Sequence, residues 1–321
     1  MAALLCGLPS AARAVATLDD AQVFETRPGF RLGTHAGYSQ PSVSLKTGAG
    51  TYEYAPRLVS RPGMEVNYGG FGFSMTLPGA AGWDRWADWA RAGSARGEGL
   101  NDFRTHWHGA TWGVEAHHRH ARGLEVTGAP RELQPSTWAW RAPQSRDDAS
   151  LRLTDLTVYR ARDPDSRVYR ISEGRARDGG DVDFFVMMAA SRARLQGDRD
   201  LLAGLPGSGA GEGASRFHGS RAVEVTSLAA GAGYAISGNL HGLYIDQSLF
   251  AGYGPQFRDW GNRRDAAWNL AKVNVRLNMG LRTRWFDVGA GFENDAHAAL
   301  AGGERALFHA LVARAGVEVF L

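Results

Sequence analysis

Leu307-Phe308-His309-Ala310-Leu311-Val312-Ala313-Arg314-Ala315-Gly316-Val317-Glu318-Val319-Phe320-Leu321 carries apolar residues at every odd position from Leu311, with Arg314, Gly316, Glu318 and Phe320 between them. A period of two is that of an extended strand with one greasy face. The alternation recurs upstream. Ala271, Val273, Val275, Leu277, Met279 and Leu281 interleave with Lys272, Asn274, Arg276, Asn278 and Gly280. After Arg282-Thr283-Arg284, Phe286, Val288, Ala290 and Phe292 interleave with Asp287, Gly289, Gly291 and Glu293. Pairing Leu281 with Phe286 sets Val275 opposite Phe292 and Asn274 opposite Glu293, so both faces stay consistent. A second hairpin spans Val223 to Tyr253, with Leu228, Ala230, Ala232, Tyr234 and Ile236 before a Gly238-Asn239 turn. His241, Leu243, Ile245, Leu249 and Ala251 follow it.

The other face of these strands discriminates between architectures. A soluble sandwich would solvate it with long charged side chains. Here it is small and polar: Ala229, Gly231, Gly233 and Ala235, then Gly242, Tyr244, Asp246 and Ser248. Such residues suit the interior of a filled barrel. Tyr38, Tyr68, Trp107, Trp112, Tyr253, Trp268 and Trp285 gather near strand ends, where an aromatic girdle sits. Further strands are expected at Phe30–Tyr38, Met64–Tyr68, Phe71–Leu77, Phe103–His108, Trp112–Arg119, Leu151–Tyr159, Arg167–Glu173 and Val182–Arg192. With the five from residue 223 onward they number thirteen, whereas closed bacterial barrels take an even number. The Gly-rich stretch 196–216 and the run Val43–Thr47 are the places to look for the discrepancy. Tight turns at Gly69-Gly70, Ala110-Thr111 and Gly238-Asn239 contrast with long connections at 78–100, 120–150, 195–220 and 254–267. Trp83, Trp86, Ala87 and Ala90 fall at helical spacing, which places a short amphipathic helix in one loop. The expected fold is all-β: a single closed antiparallel transmembrane β-barrel of about 12–14 strands.

Composition agrees. The 321 residues carry 36 Lys plus Arg against 33 Asp plus Glu, a balance too even for a nucleic-acid-binding domain. No apolar run reaches the ~20 residues of a spanning helix. A single cysteine, Cys6, excludes a disulfide framework and a cysteine-built zinc site, and a 44% hydrophobic share argues against disorder. Residues 1–16 read as a truncated signal peptide, with Ala12-Arg13-Ala14 and Ala14-Val15-Ala16 fitting the small-x-small cleavage pattern but no basic region before them. Leu5 before Cys6 does not fit a lipoprotein box. Residues 17–321 form the barrel domain, undivided by any linker.

Five of the ten histidines fall between 106 and 120. The Ala110-Thr111 turn pairs His106 with Glu115, Arg104 with His117 and Asp102 with Arg119, all on one face, with His108 near the turn. Asp102, Arg104, His106, His108, Glu115, His117 and Arg119 are therefore the candidate binding residues, as a polar ladder in the lumen. His106 and His108 can also reach a common metal ion or act as a base; the self-satisfied ladder is the favoured alternative, and neither a metal nor a cofactor is expected. His118 falls among apolar positions. Ser227, Ser248, His241 and Asp246 share a hairpin, but His241 faces the apolar side, which argues against a catalytic triad. The segment 207–213 (GSGAGEG) lacks the strand–helix context of a phosphate loop. Arg258, Arg263 and Arg264 either touch lipopolysaccharide phosphates or are solvated loop charges.

Arg314-x-Gly316-x-x-Val319-x-Leu321 resembles the carboxy-terminal signal of bacterial outer-membrane barrels, with Leu321 where Phe is usual. From about Phe30 to Leu321 the chain also resembles a bacterial outer-membrane β-barrel family known as domain of unknown function number 4421. The resemblance rests on Tyr54-Ala55-Pro56 with Arg57 in place of Asn, on Val66-Asn67-Tyr68-Gly69-Gly70-Phe71-Gly72-Phe73-Ser74, on Trp112-Gly113-Val114 and Arg122-Gly123-Leu124, and on Gly231-Ala232-Gly233-Tyr234 with Ala232 in place of Pro. It implies a barrel in the outer membrane of a Gram-negative bacterium and no particular activity. The expected partners are outer-membrane lipid, lipopolysaccharide and, through the last strand, the barrel-assembly machinery; no nucleic acid is expected. The expected role is structural, binding or small-solute channelling. A lipid-modifying enzyme using His106, His108 and Glu115, and a secreted all-β binding protein, are the alternatives.

Overall fold

Strand-forming alternation is realised along most of the chain. A computed structural model describes residues 29–48, 50–57, 60–77, 99–109, 111–130, 143–162, 179–205, 215, 217–283, 285–301 and 303–321. Among them are β1 (Arg31–Lys46), β2 (Gly50–Pro56), β3 (Arg61–Tyr68), β4 (Phe71–Thr76), β5 (Gly99–His108), β6 (Trp112–Pro130) and β7 (Gln144–Ala161). β8 (Gly179–Gln196), β9 (Ala222–Leu240), β10 (Leu243–Asp259), β11 (Arg264–Arg282), β12 (Phe286–Ala301) and β13 (Glu304–Phe320) complete the sheet. Every pairing is antiparallel. β13 lies along the whole of β1, from Arg31 opposite Phe320 to Lys46 opposite Arg305, and closes the ring.

The odd strand count is resolved by β2 and β3, which lie end to end along β1. Arg61–Asn67 pair with Gly37–Arg31, and Thr51–Tyr54 pair with Lys46–Val43. On its other side β2 pairs with Leu124–Pro130 of β6, while β3 continues through β4 and β5 to residues 113–122 of β6. The ring therefore crosses twelve strands near the end that carries both Arg31 and Phe320, here the terminal end, and ten near the far end. Both numbers are even. β2 was missed in the sequence, Val43–Thr47 belongs largely to β1, and residues 197–205 turn rather than extend. The expected strand Arg167–Glu173, the helix at Trp83–Ala90 and residues 1–16 lie outside the described residues.

Four expectations are corrected. The β9–β10 strands run past Gly238-Asn239 and turn on His241-Gly242, with Leu240 opposite Leu243. Both turn residues have positive φ (52° and 89°), the geometry whose twist matches a two-residue hairpin, and Asn239 Oδ1 accepts a hydrogen bond from Gly242 N. In β11–β12 Leu281 pairs with Val288, not Phe286, because the Thr283 hydroxyl accepts from the Trp285 and Phe286 amides and holds a longer turn. The slip is two residues, so both faces keep their sides. The long loop expected at 254–267 is instead strand, turning at Trp260–Arg263. A bulge beside Gly252/Tyr253 adds one residue to β11 there: Ala271, expected to face outward, is buried, and Trp268 and Leu270 face out beyond it.

The two halves of the barrel are built oppositely. In the terminal half the outward positions are apolar and exposed, as in Val182, Phe184, Val186 and Met188 of β8, at 58–68%. All seven girdle aromatics are exposed, with Tyr68, Trp107, Trp112 and Trp285 near the terminal end and Tyr38, Tyr253 and Trp268 farther up. From Leu243 to Tyr253 along β10, ten residues tilted by about 40° span about 25 Å. In the far half the apolar residues point inward. Leu45, Tyr54, Leu124, Leu151, Leu195 and Phe308 are fully buried there, and Leu201, Leu202, Leu205 and Phe217 from the β8–β9 connection cap them. Phe217 meets Trp260 edge-on at 5.3 Å. Phe308→Ala is expected to lower folding stability by about 3–5 kcal/mol, the cost of a cavity in a close-packed core; the urea midpoint of the refolded barrel measures it.

Candidate functional site

The short turn before Trp112 sets the β5–β6 register, and the expected ladder forms: His106 faces Glu115, Arg104 faces His117 and Asp102 faces Arg119. All seven candidates lie inside the ring, between the far apolar core and the terminal opening. His117 Nε2 lies 2.7 Å from Asp102 Oδ1. Arg104 donates to Glu115 at 2.8 Å. The His106 and His108 rings lie with centroids 4.6 Å apart, tilted by 31°.

The ladder pairs partly within itself, and further partners come from across the lumen. Arg276 of β11 donates twice to Glu115, at 2.9 and 2.7 Å, in the bidentate geometry that planar guanidinium favours. Glu293 of β12 takes Arg104 at 3.3 Å and stands 3.7 Å from Arg119. Lys272 bridges Asp155 at 3.0 Å and Asp295 at 3.3 Å, and His297 reaches Asp155 at 3.1 Å. Arg276, Lys272, Glu293, Asp295, His297 and Asp155 are thus site residues that the β5–β6 ladder alone did not include. Their inward parity on β7, β11 and β12 is the signal that marks them.

Asp155, Asp295 and His297 could group round a metal ion, but the Lys272 ammonium sits among them and already supplies the positive charge. Glu115, the carboxylate nearest the His106–His108 pair at 3.8 Å from His108, is held by two arginines. The ladder, not a metal centre, is what the geometry favours. The serine–histidine arrangement does not assemble either. His241 occupies a turn, Asp246 accepts from Ser237 at 2.6 Å, and Ser227 is buried on the far part of β9. Arg258, expected in a loop, is buried on β10, pairs with Asp265 at 2.6 Å and lies over Trp260. Arg264 pairs with Asp259 at 2.8 Å. The segment 207–213 lies outside the described residues.

Below the charged layer a cavity of about 130 Å³, partly open to solvent, reaches toward the terminal end. An arc of rings forms one side. His108 meets Tyr159 at 5.8 Å, Tyr159 meets Phe185 at 6.5 Å, and Phe185 stacks on Phe250 at 6.4 Å. Glycines on the intervening strands make room: a Cβ on Gly113 would come within 2.2 Å of the Tyr159 ring, and one on Gly233 within 2.5 Å of Phe185. The remaining wall includes Glu65, Ser74, His106, Asn278 and Arg314.

No family model matches the chain, so the resemblance to domain of unknown function 4421 rests on its motifs alone. No curated protein matches. Among solved structures the chain is similar to the outer membrane protease OmpT from Escherichia coli, at 9% identity over 93% of this chain and 100% of that one, with a TM-score of 0.42. It is similar to the β domain of the Bordetella autotransporter BrkA, at 12% identity over 91% and 99%, with a TM-score of 0.36. The translocator domain of the autotransporter NalP from Neisseria meningitidis gives 10% identity over 97% and 94%, with a TM-score of 0.25. None is near enough to lend a residue or a role.

Glu115→Gln is expected to lower stability by about 3–5 kcal/mol, because Arg104 and Arg276 lose their shared counter-charge inside the ring. Chemical unfolding followed by near-ultraviolet circular dichroism tests this.

Proposed function

We propose that the protein spans the outer membrane of a Gram-negative bacterium as a non-conducting barrel, and that its cavity binds a small aromatic or amphipathic solute entering from the terminal end. One observation carries the reading: around the terminal half, large apolar side chains face outward and ionic pairs face inward, the inverse of a protein dissolved in water. Hydrocarbon is the surrounding that makes this arrangement stable. The secreted alternative leaves the belt without a solvent suited to it. For orientation, the end where β1 begins and β13 finishes, which also carries the tight turns Gly69-Gly70 and His241-Gly242, is taken as the periplasmic end. β13, whose last residues pair with the start of β1, is the segment offered to the assembly machinery. Membership of the uncharacterised family named above belongs to the same proposal.

The far apolar core and the charged layer lie across the path along the barrel axis, which supports binding over passage. The ring arc suits a flat apolar solute, through burial and offset or edge-on ring contacts.

The expected results are a band in the outer-membrane fraction whose gel mobility changes on heating, and no ion conductance in planar bilayers. Steady single-channel conductance excludes the closed reading. For the cavity, 1-naphthol binding by equilibrium dialysis should weaken about tenfold in Phe185→Ala, the loss of one ring's burial and stacking.

A further inference from the structure

The outward face of β6, β7, β8 and β9 changes character along its length. Ladder rows near its middle read Ala116, Leu156, Ala190, Leu228. One row toward the far end stand His118, Thr154, Arg192 and Thr226; the next holds His120, Arg152, Arg194 and Glu224; beyond it come Arg122, Ser150 and Gln196. Successive outward rows are two residues apart, about 5 Å along the barrel axis for tilted strands. Four arginines thus gather within about 15 Å of the apolar belt's edge, at the depth of lipid headgroups. The outward positions of far β12, Asn294, Ala296 and Ala298, carry no charge.

Within the protein this cluster is poorly compensated. Arg152 stands directly opposite Arg194, a like-charged pairing that weakens a sheet. Glu224 serves both Arg192, at 2.8 and 3.0 Å, and Arg194, at 3.5 Å. Among the described residues neither Arg122 nor Arg152 has an acidic partner. Guanidinium groups in excess at a membrane boundary suit phosphate, which they bind through paired N–H donors. Lipid phosphate also arrives with acyl chains that cover the adjoining Leu156, Met188 and Leu228. With the terminal end on the periplasmic side, as proposed above, the cluster lies on the outer-leaflet side.

We infer that Arg122, Arg152, Arg192 and Arg194 form a binding surface for the phosphate groups of a phosphorylated outer-leaflet glycolipid whose acyl chains lie on the neighbouring belt. The inference rests on the membrane-spanning reading above.

The test compares refolded protein in four preparations: phosphatidylcholine vesicles alone, vesicles doped with bisphosphorylated lipid A, vesicles doped with its dephosphorylated form, and phosphatidylcholine with free inorganic phosphate. The midpoint of thermal unfolding, read from gel mobility, should rise only with bisphosphorylated lipid A. Arg122→Gln with Arg152→Gln should weaken that lipid's apparent affinity at least about tenfold, since hydrogen bonds to charged groups are lost. In phosphatidylcholine alone the double variant should be as stable as the parent or more so, because the like-charge pairing is relieved. Arg264→Gln, at the exposed β10–β11 tip, should leave the lipid response unchanged. An equal rise with dephosphorylated lipid A or free phosphate overturns the inference. So does a double variant that keeps the full response, or one destabilised equally in every preparation. Failure of the parent to fold into phosphatidylcholine vesicles overturns the membrane reading beneath it and is scored before any lipid is added.

Discussion

Closure of the sheet on itself is the constraint from which the other features follow. A strand edge left open in hydrocarbon would carry a row of unsatisfied amides and carbonyls, each costing several kcal/mol by order of magnitude. β1 and β13 remove that edge along sixteen residue pairs. Once the ring is closed, inward side chains have no neighbours but one another, and the charges they bring must balance locally. Glu115, shared by Arg104 and Arg276, and Glu293, shared by Arg104 and Arg119, tie β5 and β6 to β11 and β12 across the lumen. These pairs need not stabilise the fold relative to apolar substitutes. They do specify it, because another closure register would leave arginines without carboxylates.

The passage from twelve strands to ten has a local cause. β4 has six residues and β5 ten, against sixteen to nineteen for most of the rest, so this hairpin occupies only the terminal half. Above it, β2 crosses to pair with β6, and Gly123 beside the irregularity in β6 takes a positive φ of 68°. A narrower ring leaves less volume inside, and Tyr52, Tyr54, Leu124 and Phe308 are large enough to fill it. The wider terminal ring has room for charged pairs and still keeps a cavity.

What the sequence disclosed divides by distance along the chain. The β5–β6 register was readable to the residue because a minimal turn leaves no freedom to slip. The β11–β12 register was off by two because the Thr283 hydroxyl bonds two amides that the alternation pattern does not report. The partners of the ladder were harder still. Alternation assigned Arg276 and Glu293 to the inward face, but Glu115 and Arg276 are 161 residues apart, and a period of two says nothing about height on the barrel wall. The aromatic arc was hidden for the same reason, since Tyr159, Phe185 and Phe250 lie on three strands and meet over glycines on two more.

The closing strand shows why one greasy face was too simple a description. Below its middle the outward residues Ala313, Ala315, Val317 and Val319 are apolar, opposite Arg314 and Glu318; above it the inward Ala306, Phe308 and Ala310 are the buried apolar ones. β8 makes the same exchange, from outward Phe184 and Met188 with inward Asp183 to outward Arg192 and Arg194 with inward Leu195. Strands of sixteen to nineteen residues are about twice what is needed to cross a bilayer, for which about 9–11 suffice. The excess at the far end, which the proposed membrane reading leaves in water, obeys the rules of a soluble barrel, with oil inside and charge outside. The terminal half, proposed to lie in hydrocarbon, obeys their inverse. The apolar parity changes face where the surroundings change, and the arginine-rich rows of β6 to β8 lie at that boundary.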